Sequence, residues 1–216
     1  KCSVKRKKCL RYATICSNAG FLGNPIAQGV FGMMGLTLAS IYLIPQRIMM
    51  WSEGVSVFTE APTKKEMLKK IFTHPCIIAC EIGIVLMLTG WRPPHFLEET
   101  ITSVSNCNTA MSMLVIGMIL ADADPKTIID KDVLFYTFIR LLIIPFCVFI
   151  PCWLLHTDSL VMGVSVILAA MPAGATTTIL ASKYDCEEEF SVKLVVFSTA
   201  ASLITTPLWN MILLKF

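Results

Sequence analysis

The chain has 216 residues, of which 55% are hydrophobic and only 15% are charged, and its formal net charge is +3. Its mean hydropathy is +0.70. A soluble domain of this length needs many more polar side chains to cover its surface, so the composition excludes a soluble globular protein. It predicts an all-α polytopic membrane protein.

The first segment, "KCSVKRKKCLR" (1–11), is strongly basic and is predicted to be a loop. It opens on Lys1 without an initiator methionine, so we expect the chain to be the C-terminal part of a longer protein. Seven apolar windows of about 20 residues follow. We name these spans A to G: A 12–34, B 36–58, C 72–90, D 100–121, E 133–155, F 160–182 and G 190–214. The short connection "FGMMG" (31–35) predicts that A and B form a tight hairpin.

The distribution of basic residues predicts which side of the membrane each loop occupies. Fourteen of the 18 Lys and Arg residues fall in segments 1–11, 59–71, 122–132 and 183–193, and only Arg92 and Lys215 fall on the opposite side. We therefore expect residue 1 to be cytoplasmic and the C-terminus to be extracytoplasmic, in the cell membrane.

Two spans carry residues that break helices. In span A, "SNAGFLGNPIAQG" (17–29) is expected to interrupt the helix at Gly23, Asn24 and Pro25. In span F, "AAMPAGATTTILASKY" (169–184) is expected to do so at Pro172 and Gly174. Spans A and F are five apart, so they cross the membrane in opposite directions.

A matched pair of broken spans predicts an inverted repeat of five plus five helices. Residues 1–58 are then the last two spans of the first repeat, 59–71 a cytoplasmic linker, and 72–216 the complete second repeat. Backbone freed inside a bilayer is costly unless it is buried in protein or lines a polar cavity. The two breaks therefore predict a solute site where they cross, and the alternative is a pair of ordinary proline kinks.

The chain resembles the auxin efflux carrier family, which includes plant auxin exporters and bacterial organic-acid carriers. Four stretches carry the resemblance: "SNAGFLGNPIAQGVFG", "IPQRIMMWSEGVSVF", "NTAMSMLVIGMILAD" and "AMPAGATTTILASKYDCEEEFSVKLVVFSTAASLITTPLW". It implies a ten-helix fold with a scaffold part, a moving transport part and a substrate site where the broken helices cross. It also implies that Asn18 is the substrate-facing asparagine and that Pro25 and Pro172 are the crossover prolines.

Several polar residues are candidates for binding the solute. Asn18 can hydrogen-bond a carboxylate oxygen without the cost of a buried charge, and its alternative role is a bond between helices. Asn24 either contributes to the site or bonds carbonyls that Pro25 leaves free. Thr176 and Thr177 follow the break in span F and offer hydroxyls, or bond back to their own helix.

The remaining candidates are glycines and arginines. Gly23 and Gly174 are expected to let two backbones approach closely. Arg47, at the middle of span B, is a candidate for attracting an anion. The alternative is an ion pair with an acid such as Glu53, but a gap of six residues puts these two side chains on different faces of the helix. Arg140 lies about seven residues, or ~10 Å, inside span E and is expected to snorkel to cytoplasmic lipid.

These features favour a secondary transporter that moves a small organic anion, such as a mono- or dicarboxylate, by alternating access. A channel or a seven-helix receptor-like protein is the alternative. An enzyme is not expected, because no nucleophile–base pair, metal cluster or nucleotide-binding loop is visible. We expect no cofactor and no metal. The expected partners are the organic anion, the lipid bilayer and, as an option, a second copy through the scaffold spans, but no nucleic acid.

Overall fold

The structure is a computed structural model that describes residues 3–50, 54, 56–58, 75–121 and 129–213. In these ranges the chain is helical, which confirms the predicted all-α class. The helices are α1 Val4–Ile15, α2 Asn24–Met49, α3 Pro75–Thr89, α4 His95–Ala121, α5 Lys131–Phe138, α6 Ile144–Leu154, α7 Ser159–Ala169, α8 Thr176–Lys183 and α9 Glu188–Leu213. Two π-helical turns, Ala19–Gly23 and Ile139–Ile143, run directly into α2 and α6.

Three of the described helical stretches are long and apolar enough to cross a membrane, and α7 is a shorter apolar helix. By length and composition the three are Ala19–Met49, Lys131–Leu154 and Glu188–Leu213. The first of them is not one straight helix, because its backbone leaves the helical conformation at Gly32. The second and third agree with predicted spans E and G to within two residues at each end. The chain is therefore a multi-pass membrane protein. The predicted linker 59–71 lies outside the described residues.

The predicted hairpin between spans A and B is confirmed at Gly32. This residue has φ 68° and ψ −159° in the middle of α2, a conformation that is open to glycine and strained for other residues. A Cβ placed on Gly35 would lie 2.6 Å from the carbonyl oxygen of Ala27. Eight residues of straight helix rise about 12 Å, so this contact requires that α2 folds back on itself at Gly32.

Most of the basic segment predicted to be a loop is helical, because residues 4–11 form the first eight residues of α1. That prediction was wrong. The Ser3 side chain caps the helix by accepting a hydrogen bond from the amide of Arg6. The Arg6 Nε donates to Glu187 Oε2 at 2.7 Å, and its Nη1 donates to Asp130 Oδ2 at 3.0 Å. We call these three side chains the N-terminal clasp. Lysine and arginine are good helix formers, and the clasp neutralises part of their charge.

The carboxyl groups of the N-terminal clasp are expected to make the stability of the fold depend on pH. Hydrogen bonds from Ser3 and Arg6 lower the pKa of Glu187, and the Asp132 amide and Arg6 lower the pKa of Asp130. Carboxyl groups whose pKa is lower in the folded state contribute stability above their unfolded values, roughly pH 4, and lose it as the pH falls through the folded pKa. We therefore expect the thermal unfolding midpoint to decrease as the pH is lowered from about 5 to about 3.

The same measurement on Glu187→Gln should give a shallower pH dependence below pH 5, because one of the two carboxyl groups no longer titrates. Glu189→Gln is the matched control, since the Glu189 side chain is 78% exposed and its ion-pair partner among the described residues is Lys193 on the same helix. Wild-type and Glu187→Gln curves of the same shape would show that the N-terminal clasp contributes nothing measurable.

The buried apolar residues form two cores. The first joins α1, α5, α8 and α9 through residues that include Tyr12, Tyr136 and Leu194. The second joins α2, α7 and the C-terminal half of α9 through residues that include Ile167 and Trp209. Helix α1 packs in the first core, and α2, which follows it along the chain, packs in the second. The break after α1 therefore lies between the two cores.

Helices α3 and α4 contribute no described residue to either core, although α3 lies beside α2, and α4 beside the first π-helical turn and α9. Nearly all of their described side chains are exposed, although the helices are largely apolar. In water such a surface would be unfavourable, whereas in a bilayer lipid or other spans can cover it. They correspond to spans C and D.

Candidate functional site

The helix in span A breaks at Cys16, Ser17 and Asn18. The sequence prediction placed the break at Gly23, Asn24 and Pro25, and that placement was wrong by about seven residues. The backbone leaves the helical conformation at Cys16, with φ −109° and ψ 94°. It then resumes as a π-helical turn at Ala19 and continues without interruption into α2.

Pro25 has no amide for the carbonyl four residues earlier, and a π-helical turn accommodates it without a break in the helix. The turn before it widens to π geometry, and the Asn24 amide bonds the carbonyl of Ala19, five residues back. The second π-helical turn has the same arrangement before Pro145, where the Ile144 amide bonds Ile139. A proline therefore marks a π-helical turn at both places, rather than a break.

The break in span F lies where Pro172 and Gly174 predict it. Helix α7 ends at Ala169 and α8 begins at Thr176. Pro172 supplies no amide for the helix, and Gly174 lies against the other broken span. A Cβ on Gly174 would come within 3.0 Å of the Cys16 carbonyl oxygen and 3.3 Å of the Ser17 carbonyl oxygen. This is the close backbone approach that the sequence predicted for Gly174.

The two breaks cross and pair with each other. Ser17 and Ala173 form an isolated antiparallel bridge. The Asn18 amide donates to the Pro172 carbonyl at 2.8 Å, and the Gly174 amide donates to the Cys16 carbonyl at 3.1 Å. We call this paired region the crossover. It satisfies part of the backbone that the broken helices leave free inside the membrane.

Side chains from other spans satisfy further crossover carbonyls. The Tyr136 hydroxyl donates to Ala13 O at 2.8 Å, and the Gln46 Nε2 donates to Ser17 O at 3.0 Å. Arg140 donates to the carbonyls of Thr14 and Met171. Spans B and E therefore supply the donors that the end of α1 needs.

A cavity of about 210 Å³ lies beside the crossover. Both half-helices that begin at the crossover open onto it, one through Gly20 and Phe21 and the other through Ala175 and Thr176. The first amides of a helix have no intrahelical partner, and its N-terminus carries roughly half a positive elementary charge. Two such ends therefore face one small space.

Two polar side chains of this cavity have no side-chain partner among the described residues. Asn18 is only 4% exposed, and its Nδ2 has no hydrogen-bond partner within the described chain. Arg47 lines the cavity, with its Nη2 3.8 Å from where a Cβ on Gly20 would lie. No described acid pairs with Arg47, and Glu53 lies outside the described residues. None of the described residues that line the cavity is acidic, so the cavity favours a negative charge.

Of the predicted site residues, the structure brings Asn18, Arg47, Gly174 and Thr176 to the cavity. The Thr176 Oγ1 accepts a hydrogen bond from the Tyr12 hydroxyl at 3.3 Å, so its own proton remains available.

The other predicted site residues do not line this cavity. Gly23 packs against the side chains of Leu168 and Met171. No second backbone approaches it among the described residues, so the expectation of a close backbone approach was wrong for Gly23. Asn24 and Pro25 are the first two residues of α2. Pro172 and Thr177 are fully buried behind the crossover. Asn24 bonds no described carbonyl through its side chain, and its Oδ1 is without a partner among the described residues.

The sequence analysis missed Gln46, which joins Ser17 to span B. Its Nε2 donates to both the carbonyl and the hydroxyl of Ser17 at 3.0 Å, and its Oε1 has no described partner. Gln46 also lines the cavity. The signal was available in "IPQRIMMW", where an amide and a cation stand side by side in an apolar span, but only the cation was considered.

Comparison with known proteins relates this chain to membrane transporters. The sequence profile of a family described as "membrane transport protein" matches residues 1–210. An uncharacterized transporter of Methanothermobacter thermautotrophicus is 27% identical over 206 residues, which cover 94% of this chain and 67% of that protein. The uncharacterized transporter MJ1031 of Methanocaldococcus jannaschii is 24% identical over 207 residues, with the same shares covered.

A third relative comes from a bacterium. The uncharacterized transporter YfdV of Escherichia coli K12 is 21% identical over 202 residues, which cover 88% of this chain and 63% of YfdV. The chain thus spans about two thirds of the length of the curated relatives that it matches. All three relatives are named as transporters, and none of their names states a substrate.

Proposed function

Because the chain belongs to the membrane transport protein family, the auxin efflux carrier type that its motifs resemble, we propose that it is part of a secondary transporter for a small organic anion. The proposed substrate is a carboxylate, and the proposed mechanism is alternating access. The observation that carries this proposal is the cavity at the crossover. Two half-helix N-termini, Arg47 and the unpartnered amide of Asn18 meet there without a described acidic residue.

The electrostatics of the cavity support an anion over a cation. Helix N-termini bind anions through free amides and the helix dipole, and discontinuous helices in transporters present such ends to anionic substrate groups. Arg47 adds a full charge with planar donors suited to a carboxylate. A cation such as an amine would meet only like charges and would leave the Asn18 donor without a partner.

The size of the cavity supports a small solute. Its volume of about 210 Å³ is below the roughly 300–1,000 Å³ of sites that bind drug-sized ligands. Among the described lining residues the only charged group is one guanidinium, that of Arg47. We therefore expect modest affinity, on the order of micromolar to millimolar.

Arg47→Gln tests the proposal at the side chain that distinguishes an anion site. A charged hydrogen bond contributes about 1.5–3 kcal/mol, and about 1.36 kcal/mol corresponds to tenfold. We therefore expect the KM for carboxylate uptake into proteoliposomes of the full-length protein to rise about tenfold or more. Arg92→Gln is the matched control, because Arg92 is exposed beyond the end of α3. Equal KM values for both variants would argue against Arg47 in the site.

We further propose that residue 1 faces the cytoplasm. The N-terminal clasp and the Lys5–Asp185 ion pair beside it bring together residues 3–6, 130–132 and 185–187, three segments that the basic-residue distribution assigns to one side. In a cysteine-free background, single cysteines at positions 63 and 127 should resist an impermeant thiol reagent added to intact cells, and a cysteine at 95 should react. Labelling at 63 or 127 from outside would contradict this orientation.

The bilayer and a second copy through the scaffold spans remain the proposed partners. The exposed apolar surfaces of α3 and α4 are compatible with both. No cofactor is proposed.

A further inference from the structure

Arg140 is buried at the crossover. The sequence analysis expected it to snorkel to cytoplasmic lipid, and that expectation was wrong. It is 5% exposed. Its Nε donates to the Met171 carbonyl at 2.9 Å and its Nη1 donates to the Thr14 carbonyl at 3.2 Å. Thr14 is in the last turn of α1, and Met171 follows the end of α7. One guanidinium therefore joins the C-terminal ends of both half-helices that stop at the crossover.

The second π-helical turn, in span E, carries Arg140 to this position. Pro145 has no amide to bond the carbonyl of Leu141, four residues earlier. The Trp209 Nε1 of α9 donates to that carbonyl at 2.9 Å instead. The widened turn and its tie to α9 hold Arg140 against the crossover rather than on the lipid side of span E.

The electrostatics at these two carbonyls are the reverse of those at the cavity. The C-terminal end of a helix carries roughly half a negative elementary charge. A buried cation is costly unless it is paired or hydrogen-bonded, and no described acid forms an ion pair with Arg140. Among the described residues, the two backbone carbonyls stabilise the buried charge of Arg140. The guanidinium in turn satisfies these two carbonyls.

Transporters built from discontinuous helices use such C-terminal ends to hold a coupling cation. Here the protein's own side chain occupies that place. We propose that Arg140 is a resident cation of the crossover: a positioning residue whose charge and two hydrogen bonds hold α1 and α7 in the geometry that presents their continuing half-helices to the substrate. This role rests on the transport function proposed above.

The structure also provides access to the position of the Arg140 side chain. A second cavity of about 400 Å³ is lined by residues that include Arg140, Tyr42, Gln46 and Ala169. If the side chain is shortened to alanine, this cavity extends to the freed carbonyls of Thr14 and Met171. A guanidinium ion from solution can then replace the lost group.

The test uses the full-length protein and three variants, Arg140→Ala, Arg140→Gln and Arg140→Lys. We expect Arg140→Ala and Arg140→Gln to lose about tenfold or more of carboxylate uptake. Millimolar guanidinium should restore part of the uptake of Arg140→Ala and raise its thermal unfolding midpoint. It should do neither for wild type or for Arg92→Ala, the matched control for loss of an exposed arginine.

The Lys and Gln variants decide the matter if Arg140→Ala does not insert. Lysine keeps the charge and glutamine keeps only hydrogen-bonding capacity, so Arg140→Lys should transport several-fold faster than Arg140→Gln, with a KM near that of wild type. Equal loss in both, or wild-type uptake by Arg140→Gln, would overturn the proposal. Wild-type protein that moves no carboxylate would contradict the proposed function. Guanidinium stabilisation of Arg140→Ala would support the role of Arg140 even then.

Discussion

Gly174→Leu is expected to reduce transport below detection. A Cβ at this position would lie 3.0 Å from the Cys16 carbonyl oxygen, 3.2 Å from the Thr176 Oγ1 and 3.3 Å from the Ser17 carbonyl oxygen. Two of these atoms are backbone and cannot rotate away. The leucine therefore forces the two breaks apart and breaks the 3.1 Å bond from the Gly174 amide to Cys16.

The measurement is carboxylate uptake by reconstituted full-length protein, with the thermal midpoint measured in parallel. We expect the midpoint to fall as well, because the same bridge holds the two broken spans together. Gly174→Ala should be intermediate, since neighbours at 3.0–3.4 Å need to yield by only a few tenths of an ångström. Gly29→Leu is the control, because nothing lies within 4 Å of a Cβ there. Normal uptake by Gly174→Leu would show that the backbone contact is dispensable.

Asn18→Ala is expected to lower Vmax/KM by roughly 10- to 150-fold while leaving the protein folded. The estimate follows from about 1.5–3 kcal/mol for a hydrogen bond to a charged group. The Asn18 Nδ2 has no partner within the described chain, so its removal breaks no described bond of the fold. The thermal midpoint without substrate should therefore stay close to that of wild type.

Asn18→Asp sharpens this experiment, because aspartate has nearly the shape of asparagine but replaces a donor with an acceptor. When ionised, it adds a negative charge to the anion cavity, so we expect a greater loss than for alanine. If Asn18→Ala protein instead disappears from the membrane while the surviving molecules transport normally, Asn18 has a structural role. Uptake by Asn18→Asp equal to that of Asn18→Ala would argue against a charged substrate at this residue.

Features with a local cause were predictable from the sequence. Gly32 lies between two apolar runs and forms the turn of a hairpin. Pro172 and Gly174 mark the position of the second break. Spans E and G follow from hydropathy alone. In each case the residues that determine the structure are neighbours in the chain, so their pattern is visible without knowledge of the fold.

Features that depend on distant partners were not predictable in this way. The break at Cys16–Asn18 contains neither proline nor glycine, and it is stabilised by bonds to Pro172 and Gly174, more than 150 positions away. The basic segment is helical partly because Arg6 bonds Asp130 and Glu187. Arg140 is buried because two carbonyls from other spans accept hydrogen bonds from its guanidinium. Its position along span E alone does not predict these two partners.

The central claim is that the cavity at the crossover binds an organic anion, and paired uptake of an acid and its neutral ester tests it most directly. Proteoliposomes of the full-length protein would be given a small carboxylate or its methyl ester, labelled alike, with protein-free liposomes as the control for passive entry of the ester. The account predicts saturable uptake of the carboxylate and none of the ester above that control. Equal protein-dependent uptake of acid and ester, or preference for an organic cation, would contradict it.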